Sequence, residues 1–298
     1  MDSKDRDLFQ PVIVPNLDTQ LVTWAPAYCQ TGQSVGLEVT ATPGAQQDKR
    51  IFIGDEIPST LLADAKVAVY LLAAFEGLAV EEENIHNTDL TLVASSAEIA
   101  KIQTNFRGVD TQKLFIAGFP LETEILEKYH KPWEQKIPKS VCFLGETRDI
   151  KNPPFELEIV RKLQELGYQC FHLSPRGVSI SDKLKALGCI VIEGIKGEDY
   201  YKTASQFQYV VNTSYSESLY ISGIEASIMG AIPILPKQES SGFSDWCPPS
   251  LMYEYPSVEA AIDLIKRIDG FVAPDISYSQ YDQKNYFKKV VREIEACR

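Results

Sequence analysis

Several things are scarce in this 298-residue sequence, and each scarcity narrows what the chain is able to do. No apolar run approaches the ~18 residues that a membrane-spanning helix needs, so no transmembrane segment is expected. The only three histidines (86, 130 and 172) lie far apart, and the six cysteines (29, 142, 170, 189, 247 and 297) form no Cys-x-x-Cys pair. That spacing argues against a zinc site of the closely spaced kind, and Cys142 and Cys170, set in apolar runs, read as buried reduced thiols. Positive charge is also short: 29 Lys and Arg against 41 Asp and Glu give a net charge of −12. The deficit is concentrated in residues 1–125, which hold 8 basic and 18 acidic residues. An acidic half repels phosphate backbones, which disfavours a nucleic-acid partner without excluding one. The opening MDSKDRDLFQ lacks a signal-peptide apolar core, so a cytoplasmic protein is expected.

What is present is a globular pattern. Hydrophobic content of 44% is enough for a core, and the length fits one large or two medium domains. Short Val- and Ile-rich runs recur at Pro11–Val14, Val35–Val39, Ile51–Gly54, Val67–Leu72, Thr91–Ala94 and Lys113–Ala117. They continue at Val141–Leu144, Cys170–Leu173, Ile190–Ile192, Tyr209–Val211 and Ile232–Leu235. Continuous rather than alternating apolarity predicts strands buried on both faces, as in parallel sheets. Helical patterns fall between them. Phe155–Gly167 sets Leu157, Val160, Leu163 and Leu166 on one face, and Asp199–Phe207 and Glu217–Gly230 read likewise. Strand and helix in alternation predict a doubly wound α/β architecture. The stretch KPWEQKIPKS (131–140), with two prolines and no period, reads as a linker. It gives domains at 1–134 and 139–275, followed by a C-terminal helix in 276–298.

Two segments carry chemistry. In residues 209–236 a buried strand enters a polar loop, and a helix is predicted from Glu217 to Gly230. On such a helix Glu217 and Glu225 stand two turns apart and about 80° around, within reach of one elongated ligand. Carboxylates accept from pairs of sugar hydroxyls, and the amides of Ser218, Leu219 and Tyr220 at a helix start suit a diphosphate. Two glutamates on a helix usually form its solvated face. Glu225, however, sits between Ile224 and Ala226, where a carboxylate is costly without a partner. In the second segment a strand ends at Gly145, and a turn carries Arg148 and Lys151 just beyond it. In open α/β sheets ligands bind outside the carboxyl ends of strands, and two cations there suit phosphate.

Together these segments resemble the retaining glycosyltransferases of family four, which have the GT-B fold. The Glu-x7-Glu motif is Glu217-Ser-Leu-Tyr-Ile-Ser-Gly-Ile-Glu225, trailed by Gly230-Ala-Ile-Pro233, and the Gly-x5-Lys turn is Gly145 to Lys151. The likeness covers about residues 89–265. It implies two Rossmann-like domains facing each other across a cleft, a compact first domain, and a C-terminal helix returning toward it. Arg148 and Lys151 would hold the donor diphosphate, Glu217 would meet the transferred sugar and Glu225 the ribose. Ser218, Leu219 and Tyr220 would offer amides, and Gly194 and Ile195 would lie near the base. The implied reaction is sugar transfer from a UDP-, GDP- or ADP-linked donor with retention of configuration and no obligatory cofactor or metal.

Four departures qualify the resemblance. Glu146 stands where the family has arginine, and Leu219-Tyr220 replaces Phe-Gly. No Gly-Gly follows Val14, and no histidine ends the run Val67–Ala74. His86 is expected in a polar loop, the run Glu81–Glu83 as a solvated loop or helix start, and Trp24, Trp133 and Trp246 as packing residues. Three readings follow: an active glycosyltransferase with an unidentified acceptor, a non-catalytic GT-B-like subunit binding a nucleotide-sugar or a protein partner, and an enzyme acting on a modified DNA base.

Overall fold

The computed structural model describes residues 10–13, 49–53, 67–72, 77, 79–269 and 276–296. The expected strand Val35–Val39, the turn after Val14, Trp24, Cys29 and Cys297 lie outside them. The chain divides into two compact units, Met1–Pro120 with Ser279–Arg298, and Leu121–Tyr278.

The first unit holds a five-stranded sheet in chain order: β1 (Gln10–Ile13), β2 (Lys49–Ile53), β3 (Val67–Leu72), β4 (Leu90–Val93) and β5 (Leu114–Ile116). Every pairing is parallel. All four residues of β4 are buried, and the Thr91 hydroxyl among them lies 3.3 Å from Thr88 Oγ1. Helix α1 (Ala79–Asn87) links β3 to β4, and α2 (Ser96–Asn105) links β4 to β5. Tyr70, Leu72, Ile85, Val93, Ile102, Phe106 and Leu114 form the core. The acidic run Glu81–Glu83 lies within α1, and Glu81 is buried, its carboxylate accepting from the Gly77 amide at 2.8 Å. His86 belongs to the last turn of the same helix, not to a loop, and is exposed.

The second unit is a six-stranded parallel sheet. Its strands are β6 (Ile137–Leu144), β7 (Gln169–Ser174), β8 (Ile190–Glu193), β9 (Phe207–Val211), β10 (Ile232–Lys237) and β11 (Met252–Glu254), in the order β11-β10-β9-β6-β7-β8. Counted within the unit this is the Rossmann order, and the winding reverses between β6 and β9. Ligands of open α/β sheets bind at the carboxyl ends of the two strands flanking such a reversal. The helices are α3 (Thr123–Glu127), α4 (Pro153–Glu165), α5 (Ser181–Ala186), α6 (Gly197–Ala204), α7 (Ile221–Ile228) and α8 (Val258–Ile268). Prolines 153 and 154 open α4, where the missing amide and fixed φ suit the first turn. The buried face of α4 is Phe155, Glu156, Ile159, Val160 and Leu163, rotated from the expected one, and Leu166 is exposed.

The division falls at Pro120/Leu121, and the stretch read as a linker packs within the second unit. The Lys131 amide donates to Met229 O at 3.2 Å, and Trp133 stands edge-on to Tyr209 with ring centroids 5.2 Å apart. The buried Lys136 ammonium donates to Ser205 O at 2.7 Å and Met229 O at 3.0 Å, the carbonyls at the ends of α6 and α7. Such carbonyls are left without intrahelical partners.

Candidate functional site

Both predicted segments end at the reversal point. Gly145 follows β6 with φ +106°, a left-handed conformation that favours glycine, and its amide bonds Leu173 O at 2.9 Å. The turn beyond is tied to the loop after β7: Ser179 N donates to Thr147 Oγ1 at 2.6 Å, and Arg176 pairs with Glu146 at 3.0 Å. Arg176 thus brings a guanidinium to the position where the sequence carries glutamate. Arg148 is exposed, and Lys151 ends a short 3-10 turn, Asp149–Lys151.

The loop after β9 is stitched to this turn. Tyr215 N donates to Ile150 O at 3.0 Å, and Thr213 Oγ1 to Lys151 O at 2.7 Å. The side chains meet as well. Lys151 Nζ forms an ion pair with Glu217 Oε1, both side chains being about 15% exposed, and lies 5.4 Å from the centroid of the Tyr220 ring. Glu217 Oε1 also accepts from Ser214 Oγ at 2.8 Å and Asn212 Nδ2 at 3.2 Å. The Glu217 backbone is held by Ser241 Oγ and the Gly242 amide, in a parallel bridge to Ser241. Asn212, Ser214 and Ser241 were not singled out from sequence; a polar loop after a buried strand was their only signal.

The helix begins at Ile221, not at Glu217. The bridge to Ser241 keeps Glu217 extended, and Tyr220 adopts φ +62° and ψ +62°, which no helix interior permits. Glu217 and Glu225 therefore do not share a helix face. The backbone amides of Ser218, Leu219 and Tyr220 find no acceptor among the described residues. The Tyr220 ring turns inward and is 4% exposed, stacked edge-on to Phe243 with ring centroids 6.2 Å apart. It lies so close over Gly223 that a Cβ there would stand 2.2 Å from Tyr220 Cδ1. Trp246, buried as a packing residue should be, donates from Nε1 to Leu219 O at 3.0 Å.

Glu225 lies mid-α7, half-buried, and its carboxylate has no hydrogen-bond or ionic partner among the described residues. Burial pushes its pKa up to about 7. Gly194 and Ile195 follow β8 at the same carboxyl edge, with the Gly194 amide on Ser174 O at 3.0 Å. No hydrogen bond or ion pair joins them to the Lys151–Glu217 pair among the described residues. Cys142, Cys170, Cys189 and Cys247 are buried free thiols. No group of three or more His, Cys, Asp or Glu is placed to hold a metal, and no helix is long and apolar enough to cross a membrane, among the described residues.

No protein-family model matches the sequence, and no curated protein matches it. Solved structures do. A lipopolysaccharide outer core galactosyltransferase, WaaB, aligns over 97% of this chain and 99% of its own, with TM-score 0.69 and 13% identity. HepE of Anabaena, in complex with UDP and glucose, aligns over 97% and 100%, with TM-score 0.69 and 9% identity. An alpha-glucosyltransferase in complex with UDP and a 13-mer DNA containing an HMU base aligns over 97% and 100%, with TM-score 0.64 and 12% identity. The chain has the GT-B fold. Within that GT-B frame the Leu121–Tyr278 unit carries the Gly145–Lys151 turn, the Glu217 loop and α7.

Proposed function

We propose that this GT-B chain is a glycosyltransferase that moves a sugar from a nucleotide-sugar donor to a hydroxyl acceptor with retention of configuration. The observation that carries the reading is the half-buried Glu225 carboxylate, unpartnered among the described residues and about one turn into α7, whose start follows three amides without acceptors and the Lys151–Glu217 pair. A carboxylate removed from water without a partner is unfavourable until hydroxyl donors reach it, and ribose supplies two. In this reading Arg148 and Lys151 hold the diphosphate and stabilise its charge as it departs, with the amides of Ser218, Leu219 and Tyr220. Glu217 meets the transferred sugar, and Gly194 and Ile195 flank the base. Tyr220 does not obstruct the ligand, because its side chain is buried against Gly223 and Phe243.

UDP-linked sugars are the first donors to test, since HepE and the alpha-glucosyltransferase are bound to UDP. The acidic residues 1–125 favour a soluble or protein-bound acceptor over nucleic acid. The test is thermal shift with UDP, GDP, ADP and their sugars, followed by donor hydrolysis and the anomeric coupling of the product. A shift with one nucleotide and retained configuration are expected, and Lys151→Ala should lower turnover about a hundredfold. No shift and no turnover with any donor would sink the proposal. A shift without turnover would favour the non-catalytic subunit.

A further inference from the structure

We propose that the buried pair Glu156–His172 is a positioning device for the anion-binding turn, in which a doubly protonated His172 ties the start of the turn to its end and so fixes Lys151 between them. The inference rests on the reading of Gly145–Asn152 as the donor-diphosphate turn. His172 lies in β7 beside Phe143 of β6, one strand from the reversal point. Its Nδ1 is 2.6 Å from Glu156 Oε1 and its Nε2 is 2.9 Å from Gly145 O, with both side chains 3% exposed. A carbonyl oxygen only accepts, and an ionised carboxylate only accepts. With Glu156 ionised, both ring nitrogens donate, and the ring carries a proton on each. A neutral imidazole beside that carboxylate would set one lone pair against an acceptor in the core, at the cost of an unmade buried hydrogen bond.

The neighbouring charges agree. Burial lowers the proton affinity of His172, but the Glu156 carboxylate and the Gly145 carbonyl more than offset this, leaving its pKa raised. Glu193, from β8, acts in the same direction. The other titratable groups around the pair are Tyr220 and the thiols of Cys142, Cys170 and Cys189, all pushed up by burial and so neutral. Among the described residues, His172 is the ionic partner of Glu156.

The placement along the chain gives the pair its role. Gly145 is the first residue after β6, and Glu156 is in the first turn of α4, its amide on Asn152 O at 3.1 Å. Between these anchors lie Arg148 and Lys151. One imidazole therefore bridges both ends of the segment that presents the cations. A pair that merely filled core space would stabilise the unit without setting the geometry of that segment.

Two full-length variants separate these roles. Glu156→Gln keeps both hydrogen bonds, with the side-chain amide donating to Nδ1, but leaves the imidazole neutral. Glu156→Met with His172→Phe removes the pair without orphaning a buried charge, a replacement that buried ion pairs often tolerate. Imidazole 15N spectra, tractable with three histidines, should show two protonated nitrogens on His172 in the wild type and one in Glu156→Gln. UDP affinity should stay near wild type in Glu156→Gln and fall about tenfold in the double variant, with faster amide exchange confined to residues 145–152 and cooperative unfolding retained. A singly protonated wild-type His172, or a double variant with wild-type UDP affinity and unchanged exchange at 145–152, overturns the proposal. If the wild type binds no UDP, the donor reading fails, while the nitrogen count and the exchange of the turn still decide the positioning role.

Discussion

Replacing Glu225 with glutamine tests whether nucleotide binding is coupled to a proton. Burial raises the free carboxyl to about 7 from a reference of 4.5, a difference worth about 3 kcal/mol. Ribose hydroxyls can donate to the ionised form only if the proton leaves. Binding at about pH 7 should therefore release about half a proton, approaching one near pH 6. Donor affinity should tighten about tenfold per pH unit as pH rises toward 7, then level off. UDP-glucose is the appropriate probe, because its diphosphate diester does not titrate in this range. Calorimetry in buffers of different ionisation enthalpy reads the proton count directly. The glutamine variant should bind with no slope and, above pH 7, with a loss of about 2 kcal/mol, as expected for charge-assisted hydrogen bonds made neutral. A flat wild-type profile, or a slope that survives in Glu225→Gln, would refute the placement of the ribose at this residue.

The same carboxyl affects the unliganded protein. Its folded pKa lies above the unfolded one, so its contribution to stability is present below about pH 4.5 and lost as pH rises through about 7. Glu225→Gln should raise the apo melting temperature at pH 8 and leave it nearly unchanged at low pH. Gly223→Ala should cost about 2 kcal/mol, because its Cβ would stand 2.2 Å from the Tyr220 ring. In a Tyr220→Gly background that penalty should vanish, and additive effects in chemical denaturation would contradict the packing described. Lys136, whose pKa burial lowers to about 7, binds protons more weakly folded than unfolded, so its contribution to stability should grow from about pH 7 to about pH 10. Lys136→Met should abolish that slope in denaturation midpoints measured across the range.

Much of the second unit was legible because its physics is local. Val141–Leu144, Cys170–Leu173, Tyr209–Val211 and Ile232–Leu235 lie within β6, β7, β9 and β10, since an unbroken apolar run suits a doubly covered parallel strand; Ile190–Ile192 lies within β8, an edge strand with Ile190 exposed. The start of α7 was misplaced because the bridge from Glu217 to Ser241 crosses from another loop, and no local pattern announces it. Tyr220 counts as a departure in sequence because sequence does not show which way a ring turns; the absence of a side chain at Gly223 is what lets it turn inward. The pairing of His172 with Glu156 is not legible in the sequence, because the two lie on either side of a helix-to-strand connection. The linker assignment followed prolines and mixed charge, yet Lys131, Trp133 and Lys136 are held by partners distant in sequence.

The division of the chain has a consequence for biosynthesis. The second unit is one continuous stretch, whereas the first is completed by helix α9 (Gln283–Ala296), which is translated after the whole of the second. That helix brings Lys289 Nζ to Ile116 O at 2.6 Å and to the Phe115 ring, buries Tyr286, Phe287, Val290 and Ile294, and is preceded by Tyr281 against Gly118. On the ribosome the earlier-made sheet must wait for α9 and its contacts at β5, while the later-made one is synthesised in full. Chains ending at Tyr278 and released from the ribosome should therefore carry a protease-resistant second unit and a first unit that chaperones still recognise.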